Sequence, residues 1–149
     1  MSRGFSLLEM LVVIAVLIVI STLVISRMSA AKSQKAAITA ADNILFTLEE
    51  AKQNAVAGKY GTAHGVHFAS STYTSFSGTS YSPSGEYNRS FSAPGGIVVA
   101  TQLSGGAVDV VFARLTGAPS VTGTIVVEYG ESAERVISIG PGGDISIGE

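Results

Sequence analysis

The sequence predicts an α+β protein: one long N-terminal helix, its first half transmembrane or filament core, packed on a C-terminal antiparallel β-sheet domain. Three observations carry this. Positions 5–25 are apolar with a single formal charge, Glu9, and contain neither Gly nor Pro. Positions 26–57 shift to Ala, Lys, Gln, Asp and Glu, again without Gly or Pro. Beyond Gly58, short runs rich in Val, Ile, Thr, Tyr and Phe alternate with clusters of Gly, Pro, Ser and Asn, the texture of strands and turns. One helix followed by many strands is the order of an α+β fold.

As a helix rising ~1.5 Å per residue, positions 5–25 would be about 31 Å long, close to the roughly 30 Å of a hydrocarbon core. An uninterrupted helix makes its backbone hydrogen bonds internally, as lipid requires. Glu9 stands out in this setting. A carboxylate inside an apolar helix costs a few kcal/mol on insertion scales and calls for a positive or hydrogen-bonding partner. No Lys or Arg lies within a helical turn of it. An amine becomes available if the chain is cut just before Phe5, because a free α-amino group has a pKa near 8 and is mostly protonated at neutral pH. The partner is then the amine of the same chain or of a neighbouring copy. The plainer alternative is a Glu at the membrane surface that needs no partner.

The segment Gly4-Phe5-Ser6-Leu7-Leu8-Glu9-Met10-Leu11-Val12-Val13-Ile14 closely resembles the N-terminal signature of type IV prepilins and type II secretion prepseudopilins. The resemblance implies cleavage between Gly4 and Phe5 by a prepilin peptidase, N-methylation of Phe5 by the same enzyme, and pairing of Glu9 with a terminal amine during filament assembly. The leader Met1-Ser2-Arg3-Gly4 is short and basic, as in that family. An ordinary secretory signal is the competing reading, with Ser29-Ala30-Ala31 as its cleavage site. The length of the apolar run and Glu9 within it speak against that. Flanking charge is in conflict with the resemblance. Arg27, Lys32 and Lys35 outnumber Arg3 and the Met1 amine and would place the C-terminal side in the cytoplasm, whereas the resemblance implies the opposite orientation.

The chain has 149 residues, enough for one membrane helix and one small domain. The expected division is a leader at 1–4, a transmembrane or filament-core helix at 5–25, an amphipathic helix half at 26–57 and a β-rich globular domain at 58–149. Net charge is −2 and only 13% of residues are charged, so there is no electrostatic basis for nucleic-acid binding. With no Cys, disulfides, thiol chemistry and Cys-based metal sites are excluded. The disulfide-closed C-terminal loop of many Gram-negative pilins is excluded with them.

In the second helix half, Ala41, Ile44, Leu45, Leu48, Ala51 and Ala55 recur at three- and four-residue spacing and form one apolar face. That face is expected to lie on a sheet, with Gly58 ending the helix. Candidate strands are Thr62–Phe68, Thr72–Ser77, Gly96–Leu103, Val108–Arg114, Thr122–Tyr129, Arg135–Ile139 and Ile145–Ile147. The Ser-, Gly- and Pro-rich stretch Ser77–Gly96 reads as a long loop or edge hairpin in which Tyr81, Tyr87 and Phe91 are packed anchors.

The C-terminal part, from Phe112 to Thr124 and through Ile125–Tyr129, Arg135–Ile139 and Gly140-Pro141-Gly142-Gly143, resembles H-type minor pseudopilins and related minor pilins. Some of those relatives take up DNA through a basic C-terminal region. The tail here, Asp144 to Glu149, is acidic.

Catalysis finds no support in the sequence. His64 and His67, the two histidines, are three apart on an expected strand and so point to opposite faces, which disfavours a shared metal. Glu128, Glu131 and Glu134 straddle a turn and read as a solvated hairpin tip, where oxygen ligands for calcium are conceivable. Gly140–Gly143 lacks the strand-to-helix context of a phosphate loop, and no nucleophile elbow surrounds the serines.

The resulting expectation is a non-enzymatic, cofactor-free structural subunit of a type II secretion pseudopilus or a type IV pilus. Its partners would be prepilin peptidase, other pilin or pseudopilin subunits, cytoplasmic-membrane assembly machinery and, before assembly, membrane lipid. It would reside in the bacterial cytoplasmic membrane and then in a periplasmic or extracellular filament. The alternative is an exported or membrane-anchored β-domain that binds a ligand and uses the N-terminus only as signal or anchor. Gly4→Leu is expected to block cleavage, so that intact-mass measurement finds the protein still starting at Met1; an unchanged mature mass would contradict the Gly4/Phe5 site.

Overall fold

The computed structural model describes residues 6–130 and 133–148, with the backbone alone described at 22–31, 33 and 133. One helix, α1 (Leu7–Val56), leads the chain. Ser6 is extended before it, and the Met10 amide donates to the Ser6 carbonyl at 3.2 Å. At the other end Gly58, at φ +64°, turns the chain while its amide donates to Ala55 O at 3.0 Å. This left-handed position is one that glycine adopts without a Cβ penalty. A 3-10 turn, Lys59–Gly61, follows.

Eight strands come next: β1 (His64–Phe68), β2 (Thr72–Ser77), β3 (Arg89–Ser92), β4 (Ile97–Leu103), β5 (Asp109–Phe112), β6 (Gly123–Tyr129), β7 (Ala133–Ile139) and β8 (Ile145–Gly148). They form two four-stranded sheets, ordered β3-β2-β1-β5 and β4-β6-β7-β8. Every pairing is antiparallel. The Val99 amide of β4 donates to Ser70 O in the β1–β2 turn at 2.9 Å, which ties one sheet to the other.

The second half of α1 lies across both sheets, touching β1 and β2 of the first and β6, β7 and β8 of the second. Ala37, Ala40, Ala41, Ile44, Leu48, Ala51 and Ala55 are all buried on it. Five of these seven are alanines, and small side chains let a helix axis approach its partner closely. Ile44 and Leu48 fill the deeper space with Val66, Val110, Phe112, Ile125, Val127 and Ile137. Polar links hold the same helix half as well. The Leu115 amide donates to Ala55 O at 2.9 Å, Lys52 Nζ donates to Gly143 O at 2.8 Å, and Arg89 pairs with Glu50 at 3.1 Å.

The helix and seven of the strands fall where the sequence puts them, with ends shifted by a residue or two. In β5 the alternation holds: Val110 and Phe112 are buried, Asp109 and Val111 partly so. One feature differs: the β-region divides into two sheets. Within Ser77–Gly96 the edge hairpin forms, with β3 as the edge strand beside β2, although its four residues, Arg-Ser-Phe-Ser, are too few to show a period; Phe91 pairs with Tyr73 of β2 and stacks on it at 5.2 Å.

Gly65 is required in β1. A Cβ there would meet the Val110 carbonyl at 2.6 Å and the Phe76 ring at 2.7 Å. Leu48→Ala is expected to lose about 2–5 kcal/mol of unfolding free energy, the range for buried Leu truncations, and Gly65→Ala about 1–3 kcal/mol from overpacking. Denaturant titration of the full chain measures both.

Candidate assembly interface

The first half of α1 projects beyond this core. From Leu7 to Ile20 its large apolar side chains are exposed on every side of the helix, Leu7 at 84% and Ile18 at 60% among them. A helix that is apolar all round is one that lives in lipid or in the interior of a larger assembly. Glu9 sits exposed in its first turn, where the helix dipole favours a carboxylate. Gly4 and Phe5, the expected cleavage and methylation positions, lie outside the described residues. Among the described residues no helix is long and apolar enough to cross a membrane; side chains are described for 6–21 of the apolar stretch.

The face of the first sheet turned away from α1 is strapped by residues 78–88. Period-2 alternation sends His64, Val66 and Phe68 toward the core and Gly65 and His67 to this outer face. His67 Nδ1–H donates to Asp109 Oδ1 at 2.6 Å, across the β1–β5 pair. Tyr81 stacks on the His67 ring at 4.0 Å and meets Phe76 edge-on at 5.6 Å. The end of the same segment turns back toward the helix, where Tyr87 stacks on Tyr60 at 3.9 Å beside Glu50 and Asn54 of α1. His64 is buried, with Nε2–H donating to Lys59 O at 2.9 Å. Both histidines are thus structural, one seating a tyrosine and one fixing a turn, on opposite faces as their spacing requires. The three expected anchors, Tyr81, Tyr87 and Phe91, each have an aromatic seat. Tyr60 was not singled out from sequence. It holds φ +54°, and the flanking Gly58 and Gly61 were the only trace of the turn that places it.

Two hollows flank the Glu50–Arg89 pair. One, of about 220 Å³, lies under Tyr60 and Tyr87. The other, of about 290 Å³, lies between Phe46, Tyr73 and Phe91. Burial of Tyr73 raises its hydroxyl pKa above the ordinary 10.0, with a hydrogen bond to Thr47 acting in the other direction. A larger and mainly apolar groove of about 430 Å³ opens on another side of α1, between Lys52, Val56, Gly143 and Ile145.

At the β6–β7 hairpin Glu128 stands directly opposite Glu134, while Glu131 lies outside the described residues. Like charges so placed repel. Among the described residues no group of three or more His, Asp or Glu is arranged to hold a metal.

No protein-family model matches the chain, and no curated protein matches it either. Among solved structures, the chain is similar to the type IV minor pilin FimU of Pseudomonas aeruginosa strain PAO1. The TM-score is 0.58 at 16% sequence identity, covering 74% of this chain and 91% of that one. The fold is a pilin fold, a long N-terminal helix on antiparallel sheets.

Tyr81→Ala is expected to release residues 78–88 from the outer face and to cost about 0.5–1.5 kcal/mol beyond the area lost. Faster amide exchange confined to that segment would show it; unchanged exchange would mean the stack holds nothing down.

Proposed function

We propose that the chain is a structural subunit, of the minor kind, in a type IV pilus or type II secretion pseudopilus. One observation carries this reading: a pilin fold from which α1 projects with exposed apolar side chains on every side between Leu7 and Ile20. A monomer in water has no use for such a rod, because burying apolar surface is worth about 25 cal/mol per Å². Lipid covers it before assembly, and copies of the same helix cover it afterwards.

In this reading the precursor sits in the bacterial cytoplasmic membrane with its N-terminus in the cytoplasm. The prepilin peptidase cuts between Gly4 and Phe5 and methylates Phe5. The membrane assembly machinery then moves the subunit into a periplasmic or extracellular filament. Glu9 accepts a charged hydrogen bond from the Phe5 amine of a neighbouring subunit as both leave water. A buried ion pair of this kind sets register more than it adds stability, and with one partner missing an unpaired charge is left buried, at about 3–5 kcal/mol.

Glu9→Val is expected to be cut and methylated normally but to lose most of its incorporation into filaments. Intact mass and abundance in sheared surface material and in membranes, compared for wild type and variant, measure this. Normal filament yield in the variant would remove Glu9 from the mechanism. A wild-type mass beginning after Ala31 would replace the reading with that of an exported β-domain.

A further inference from the structure

We infer that the side of α1 turned away from the β-domain makes an electrostatic contact between subunits, in which Lys32 and Lys35 of one copy meet Asp42 and Glu49 of a neighbouring copy. The inference rests on the filament reading, since it takes copies to stand with their helices parallel.

These four residues are exposed and share one side of the helix. At about 100° per residue they fall in a single sector roughly 100° wide, centred opposite the buried alanine face with its Ile44 and Leu48. The domain therefore covers one side of α1, and the charges stand on the other. That side is continuous, along one unbroken helix, with the bare apolar segment from Leu7 to Ile20. Copies bundled by that segment bring their helices together on the side the domain leaves open.

The charges are also sorted by sign. Both lysines precede both acids along the chain. A helix face that meets water alone commonly mixes its signs at three- and four-residue spacing, so that a charge finds its partner on the same helix. Lys32 and Lys35 stand seven or more residues from Asp42 and Glu49, beyond that reach. The other charges of this helix half are used inside the domain, Glu50 by Arg89 and Lys52 by Gly143 O. Among the described residues none of the four has an ion-pair partner.

Complementarity selects the partner. Two parallel copies in register set lysine beside lysine and acid beside acid. Sliding one along the other by about 10–25 Å brings lysines level with acids. An antiparallel pair also matches the signs, but it sends the two apolar segments in opposite directions, where no one bundle or bilayer covers both. In the staggered arrangement each copy offers its lysines to one neighbour and its acids to another. Such a contact is heterologous and propagates as an open array unless a rotation closes it. Its effect is on placement more than on affinity, because like charges brought face to face reject the wrong register.

Charge reversal in the full-length chain, expressed in filament-forming cells, tests the contact. Lys32→Glu/Lys35→Glu and Asp42→Lys/Glu49→Lys are each expected to lower incorporation into sheared filaments about tenfold, since each sets like charges against one another. Both are expected to unfold at the wild-type temperature. The chain with all four substitutions is expected to recover wild-type incorporation, because the signs are then exchanged on both sides. Normal incorporation of either double variant would overturn the contact and leave the filament reading standing. A lowered unfolding temperature would overturn it as well, by showing that the domain itself uses these residues. Loss in the lysine variant without recovery in the four-fold variant would overturn it in favour of anionic lipid headgroups as the partner of the lysines. Failure of the wild type to enter filaments would end both readings.

Discussion

The alanine face of α1 is the constraint on which the rest of the domain depends. Ala37, Ala40, Ala41, Ala51 and Ala55 leave the helix surface nearly flat, broken by Ile44 and Leu48. A flat face can lie across two sheets at once, whereas a row of large side chains would have to choose one. The strands then inherit their positions. β1 and β2 of the first sheet and β6 to β8 of the second all meet the helix. The sheets are joined to each other by a backbone bond from Val99 to Ser70. The links at Ala55, Lys52 and Glu50 fix the helix against sliding along this platform.

The same helix carries two incompatible environments. Its second half satisfies its apolar side chains inside the domain. Between Leu7 and Ile20 it leaves them bare. The backbone is continuous between them, so a single helix carries both environments.

The outer face of the first sheet shows how a chain poor in charge covers itself. Residues 78–88 are mostly small and polar and have little apolar area to bury. Tyr81 compensates there by stacking on His67, and Tyr87 by stacking on Tyr60 at the edge beside α1, where a flat ring gains contact at low entropic cost. Of the two histidines, His67 is absorbed into the outer packing with a bond to Asp109, and His64 lies on the inner side, bonded to the carbonyl of Lys59.

Sequence alone determined the parts of this protein that depend on local pattern. The absence of Gly and Pro from 5–57 determined one continuous helix, the spacing of Ala41, Ile44, Leu48 and Ala51 determined its buried face, and alternation around Val110 determined the inward side of β5. The tyrosine anchors were legible because large aromatic rings in a Ser- and Gly-rich stretch have nowhere else to go. Tertiary structure decided what depends on residues distant in the chain. The division into two sheets follows from which strands meet beneath the helix, and strand order leaves no periodic trace. The bounds of β3 follow from its partners in β2 and α1, with Phe91 on Tyr73, Ser90 on Thr74 and Arg89 on Glu50. The seats of His67 and Tyr60, and the groove opened between Val56 and Ile145, arise from elements up to ninety residues apart. Their chemistry is written in the side chains, but their juxtaposition is a property of the fold.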